Sequence, residues 1–137
     1  MTALLLAAIF VALALLHFVW AVGGSGGPDG FVPSENGQPL FTPGPLATAA
    51  VGIALLAAAL VTSCRAGMPC VGLPQWMARI GIWVIALVFA ARAVGDFRYA
   101  GFFKRVRGTR FAQRDTWIFS PLCVAIAALA ATVGLRP

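Results

Sequence analysis

Acidic residues are scarce in this 137-residue chain: there are four, Asp29, Glu35, Asp96 and Asp115, and charged residues of both signs make up only 10%. A soluble domain carries about 25%. A chain this poor in charge cannot cover a water-facing surface, so lipid must be its solvent. Histidine occurs once, as His17, and neither an HExxH nor a CxxC motif is present. That argues against a metal site, which needs several ligands at set spacing, and against dithiol redox chemistry. No cofactor is implied. The N-terminus lacks a basic stretch before its first apolar run, and that run, Ala3–Val22, exceeds the roughly 7–15 residues of a signal-peptide core. A cleaved secretory signal is the weaker reading, and the run is taken as a true span. No internal repeat is evident.

What is present is apolar length. Hydrophobic residues make up 61% of the chain, and the mean hydropathy is +0.92. Four runs stand out, Ala3–Val22, Leu46–Thr62, Trp76–Val94 and Trp117–Leu135. Each is close to the length needed to cross a hydrocarbon core about 30 Å thick. Trp20, Trp76 and Trp117 sit at run ends, where amphipathic rings favour the interface. The first, second and fourth runs are rich in alanine, as in Ala50-Ile53-Ala54-Ala57-Ala58 and Ala127-Ala128-Ala131, and small residues let helices approach closely in lipid. The expected fold is an all-α membrane protein, a four-transmembrane-helix bundle forming one domain over residues 1–137. Self-association into a homo-oligomer stays open.

The connections differ. Residues 23–45 contain seven Gly and five Pro, too many for helix or a central strand. The pairs Phe31-Val32 and Leu40-Phe41 suggest that this loop folds back onto the bundle or membrane. The second loop, 63–75, holds Cys64 and Cys70, for which a disulfide is one option if it faces an oxidising compartment. Cys123, inside the fourth run, reads as a small apolar residue. In the third connection Tyr99, Phe102, Phe103 and Val106 recur at helical spacing, while Arg98, Lys104, Arg105 and Arg107 fall on the other side. That pattern predicts an interfacial amphipathic helix between spans three and four, ending at Gly108-Thr109.

Net charge is +6, from nine Arg and one Lys. In a soluble protein such an excess would suggest nucleic acid. Beside apolar spans it points to orientation and to anionic lipid as the partner, with no nucleic acid. Arg92, Arg98, Lys104, Arg105, Arg107, Arg110 and Arg114 flank the third loop, against Arg65, Arg79 and Arg136 on the other side. Seven against three places loops one and three in the cytoplasm and both termini outside a multi-pass cell-membrane protein.

This topology gathers candidate ligand-binding residues at one end: His17, Trp20, Arg92, Asp96, Arg98, Tyr99, Lys104, Arg105, Arg107, Arg110 and Asp115. Twelve uncharged residues, Ile80–Ala91, separate Arg79 from Arg92. At a rise of 1.5 Å per residue they span about 18 Å, short of the core thickness. One of the two arginines therefore reaches hydrocarbon depth or snorkels out of it. Asp96, one turn from Arg92, is the nearer partner and Asp115 the competitor. The plainer roles are N-caps, Asp96 for the amphipathic helix and Asp115 for span four, with Ser120-Pro121 another helix start. His17 with a nearby Asp is a weak general-base signal.

The segment Arg92-Ala93-Val94-Gly95-Asp96-Phe97-Arg98-Tyr99 resembles a known family, together with Gly101-Phe102-Phe103-Lys104-Arg105, Phe111-Ala112, Asp115-Thr116 and Ser120-Pro121-Leu122-Cys123. His17 with Trp20, and Leu40-Phe41 before Pro43-Gly44-Pro45-Leu46, fit the same pattern. The chain is similar to small four-span bacterial membrane proteins catalogued as domain of unknown function 3995. The resemblance covers nearly the whole chain and implies membrane location and four helices, but no activity. Three functions are then weighed. A binding or structural protein engaging anionic lipid or a lipid-linked phosphate comes first. An enzyme acting on a lipid or isoprenoid head group, with Arg92, Arg98 and Lys104 on phosphate and His17, Asp96 or Asp115 moving protons, comes second. A small-solute transporter comes third, because spans one and two contain no acid.

Overall fold

The computed structural model describes residues 1–23, 31–68 and 72–136. Its long helices are α1 (Thr2–Val22), α2 (Pro45–Arg65), α3 (Gln75–Val94) and α4 (Arg110–Gly134), each long and apolar enough to cross a membrane. Proline sets two of the starts. Pro45 is the first residue of α2 after an extended Gly44, and Pro74 precedes α3. Proline's missing N–H costs nothing there, and its fixed φ suits the first turn.

The interior is narrow and made mostly of small or branched residues. Ala3, Leu6, Phe10 and Ala14 line the inner stripe of α1, facing Leu55 and Ala59 of α2, Ile82 and Ala86 of α3, and Ile126, Ala130 and Val133 of α4. Spacings of three and four put these residues on one helix face. The helices close into a ring: α1 packs most extensively on α2 and α3 on α4, with α2 against α3 and α1 against α4 completing it. Glycines bring some helices closer still. A Cβ on Gly52 would stand 2.9 Å from the Phe18 ring, and one on Gly81 2.8 Å from Val61 Cγ1. Large aliphatic side chains such as Leu15, Val19, Ile53, Leu60, Leu87 and Val88 cover the outside. Such a surface suits acyl chains and would aggregate in water.

The two ends are built differently. At the terminal end Arg136 Nη2 donates to Thr2 Oγ1 at 3.0 Å, and Arg65 donates to the Arg136 carbonyl. These bonds tie α1, α2 and α4 together. Cys64 is engaged in a disulfide, its expected partner Cys70 lying outside the described residues; Cys123 is free and buried. At the opposite end a short hairpin, β1 (Ser34–Glu35) and β2 (Gln38–Pro39), pairs Ser34 with Pro39 and Glu35 with Gln38. Asn36 and Gly37 turn it with φ of 53° and 79°. Positive φ at both central residues is the tight hairpin geometry that Asn-Gly favours.

Two expectations are corrected. No helix forms between Val94 and Arg110; the segment that was to be an amphipathic helix is a succession of turns. The fourth helix begins at Arg110, seven residues before the expected start at Trp117. Thr109 is its cap, its hydroxyl accepting the Ala112 N–H at 3.0 Å, so Asp115 is not the cap of this span. The first turns bury Phe111, Ala112 and Asp115, and between Asp115 and Phe119 the helix widens into one π turn.

Candidate functional site

The site is organised around one carboxylate. Asp115 has no solvent exposure, and four groups donate to it. Arg92 Nη2 reaches Oδ1 at 2.8 Å. Lys104 Nζ, the Gly101 N–H and Ser120 Oγ reach Oδ2 at 3.0, 2.7 and 3.2 Å. The π turn makes the last bond possible. It sets Ser120, five residues on, over the same face as Asp115, with the Ser120 N–H bonded to the Asp115 carbonyl. Such single wide turns frequently occur at functional sites. Lys104, placed by sequence on a head-group-facing surface, is only 2% exposed. Its ammonium also donates to the Gly101 carbonyl at 2.9 Å and to Thr116 Oγ1 at 2.7 Å, using all three protons. Two cations therefore share one buried carboxylate, leaving one net positive charge. Arg92 Nη1 is buried without a partner among the described residues.

The loop above this cage owes its shape to a second carboxylate. Asp96 does not pair with Arg92. Its Oδ1 instead accepts the N–H groups of Arg98, Tyr99 and Ala100 at 2.9, 2.7 and 2.9 Å. Slight burial pushes the Asp96 carboxyl up, but the N–H donors of Ala100, Tyr99 and Arg98 outweigh it and hold it below its ordinary value. A side chain that gathers three backbone donors competes with helix formation. Glycine completes the competition. Gly95 and Gly101 have φ of 90° and 86°, and a Cβ on Gly95 would fall 1.8 Å from the Ala100 oxygen. The backbone doubles back so tightly that Phe102 N–H bonds the Ala93 carbonyl at 2.9 Å. This explains why the amphipathic pattern of 96–108 does not become a helix.

Loop one docks on this assembly. The Tyr99 hydroxyl donates to Glu35 Oε2 at 2.9 Å, and the Glu35 acceptor raises the phenol above its ordinary value. Arg98 lies 3.8 Å from Glu35 and over the Tyr99 ring. Phe31 packs between Trp20 and Phe119, with Arg114 over its face, and Phe119 reaches Phe111. His17 stands at the start of this aromatic row, 5.4 Å from Trp20, its Nδ1 2.7 Å from the Leu13 carbonyl. Donation to that carbonyl leaves Nε2 as the acceptor. Leu40 and Phe41, the other apolar pair of this loop, are exposed. Asp29 lies outside the described residues.

The expected site thus divides into three. Arg92, Lys104 and Asp115 form the buried cage. Asp96, Arg98 and Tyr99 shape the loop and join it to Glu35. His17 and Trp20 belong to the aromatic row, and among the described residues no hydrogen bond or ring contact links them directly to the cage. Arg105, Arg107 and Arg110 are exposed, as are Phe97, Phe102 and Phe103. Sequence reasoning missed Gly95, Gly101, Thr116 and Ser120. The two glycines flank Asp96 in the very segment read as helical, and that spacing was the available signal.

Fold and site together define a small four-span membrane protein with a charged loop closing one end of the bundle. The chain belongs to the family described as Protein of unknown function (DUF3995), whose model matches residues 10–130. No curated protein and no solved structure matches it.

Proposed function

We propose that this protein is a membrane-embedded binding protein whose basic, aromatic-rich end holds anionic lipid head groups or a lipid-linked phosphate in the cell membrane. The observation that carries this reading is the outer surface of the third loop. Phe97, Phe102 and Phe103 are 57%, 41% and 62% exposed, and Arg98, Arg105 and Arg107 are exposed beside them. Rings of this kind enter the acyl boundary, while each nearby arginine contributes about 1 kcal/mol at an anionic surface. A loop fixed from beneath by Asp115 and Asp96 needs no ordering on binding, which lowers the entropic cost.

Charge supports the orientation as well. Setting aside Arg92 and Lys104, which Asp115 engages, five basic residues remain by the third loop against three at the other end. The balance still favours cytoplasmic loops one and three, with both termini outside. An enzyme would draw its proton carrier from His17, Asp96 or Asp115. The two carboxylates are already occupied by three and four donors, so His17 Nε2 is the candidate that reading has left.

Native mass spectrometry of the full chain tests the proposal. Bound anionic phospholipid is expected, weakened at least tenfold by the pair Arg105→Gln and Arg107→Gln and by Phe102→Ser with Phe103→Ser. Unchanged lipid occupancy in both variants would remove the loop from consideration.

A further inference from the structure

The backbones at Arg79 and Arg92 cannot both lie outside the hydrocarbon, because the stretch between them covers only about 18 Å of a core about 30 Å thick, so their head groups must find a partner or snorkel out. The structure resolves the matter for one of them. Arg92 has Asp115. Arg79 is exposed on α3 and makes no ion pair or hydrogen bond among the described residues. Nor does chain order offer it a carboxylate side chain. The described acidic side chains, Glu35, Asp96 and Asp115, lie in loops one and three or at the start of α4, at the opposite end of the bundle. An arginine at or near hydrocarbon depth is stabilised by a counter-charge, and among the described residues none reaches Arg79.

A groove lies beside it. Arg79, Ile80, Trp83, Val84 and Leu87 line a shallow, widely open depression of about 430 Å³ on the outer face of α3. Arg79, Trp83 and Leu87 recur every four residues, so they form one stripe running about 12 Å down the helix. Its order is charge first, then an indole, then aliphatic side chains. Gly134 of α4 lets the Trp83 ring lie close, since a Cβ there would stand 3.0 Å from its Cε2. The indole is thereby held as a wall. Trp76, 63% exposed and one turn towards the helix start, marks the interface on this side.

We infer that this groove is a second lipid site, on the leaflet opposite the charged loop. It seats one phospholipid, whose phosphate pairs with Arg79 while an acyl chain lies along Trp83, Val84 and Leu87. Charge complementarity selects a phosphate-bearing lipid, and the apolar floor selects one that carries a chain.

The test uses the full chain in mild detergent, titrated with dioleoyl phosphatidylglycerol and read by native mass spectrometry. Arg79→Gln should weaken one binding event at least tenfold, and Arg79→Lys should keep it within about threefold. Val84→Trp, which fills the groove and leaves the charge, should weaken the same event. Dioleoylglycerol, with the same chains and no phosphate, should not occupy the site, and millimolar inorganic phosphate should not compete for it. The loop pair Arg105→Gln and Arg107→Gln should leave this event intact, so the two lipid sites succeed or fail separately. Both side chains face outward, and melting temperatures should move by no more than about two degrees. If a variant does not fold, a phosphatidylglycerol with a photoreactive acyl chain labels the wild-type protein instead, and adducts on Val84 or Leu87 are expected. Equal binding by Arg79→Gln and Val84→Trp, or labelling scattered evenly over all four helices, overturns the inference.

Discussion

At Asp115 a single atom, Oδ2, accepts from an ammonium, a backbone N–H and a hydroxyl, while Oδ1 takes a guanidinium N–H. Removing one partner of a buried pair costs about 3–5 kcal/mol. Arg92→Ala should fall at the low end, because its side chain is 37% exposed. Asp115→Asn should fall at the high end, because it strands Lys104, which is buried. Thermal melts in detergent read both effects. The double variant should be less damaging than the two single effects added together, with a coupling of at least about 1 kcal/mol; simple additivity would mean that the pair is geometric only. Asp96 acts differently, through pH. Its folded carboxyl lies below the ordinary value of 3.8, so its contribution is full above that value and drains away as pH falls through the lower folded one. The loop should therefore hold its shape from neutral pH down to about 4 and loosen below. Asp96→Asn should remove that acid-dependent step, as followed by hydrogen exchange at Arg98, Tyr99 and Ala100. A wild-type loop that already loosens near pH 6 would contradict this assignment.

Between helices, the decisive feature is the pair of glycines that fold 95–109 against the end of α3. A Cβ on Gly101 would lie 2.3 Å from the Val94 carbonyl oxygen, at a backbone φ of 86°. Backbone cannot yield as a side-chain tip does, and a positive φ adds strain of its own. Gly101→Ala should therefore lower stability by several kcal/mol, as position-specific backbone clashes do. Gly108→Ala meets nothing within 4 Å and has no positive φ, so it should be close to neutral. If the two alanines melt alike, the loop is not packed as described. The π turn raises a similar question about α4. It brings Ser120 onto Asp115, so Ser120→Ala should cost about 1 kcal/mol, the value of one neutral-to-charged hydrogen bond less its replacement.

For the molecule as a whole, orientation is the property most easily checked. A periplasmically active reporter fused to the C-terminus should work, and a cytoplasm-only reporter at the same place should stay silent. The reverse pattern would exchange the faces of both proposed lipid sites. The exposed tryptophans support a common reading of depth, since Trp76 marks the terminal end and Trp117, 81% exposed, the loop end. The bundle between them is thin in the middle and tied at both ends, by Arg136 and Arg65 at one and by Tyr99, Glu35 and Asp115 at the other.

Four spans and the gathering of charge at one end followed from composition and run length alone, because hydrocarbon penalises an unpaired backbone and leaves an apolar run of about 20 residues only the helix. The candidate list was legible for the same reason: charged residues are few, and most of them crowd one loop. Their division of labour was not. Asp96 and Asp115 look alike in sequence, yet one shapes a turn and the other is enclosed by two cations, a hydroxyl and a backbone N–H. Helical spacing at Tyr99, Phe102, Phe103 and Val106 argued for a helix, and it lost to three N–H bonds on Asp96 and two glycines in left-handed conformations. Periodicity reports only what a segment could bury if it were helical. Where the backbone donors of 98–101 find their acceptors depends on Asp96 beside them and on Asp115 fourteen or more residues away, and that long-range choice belongs to the tertiary structure.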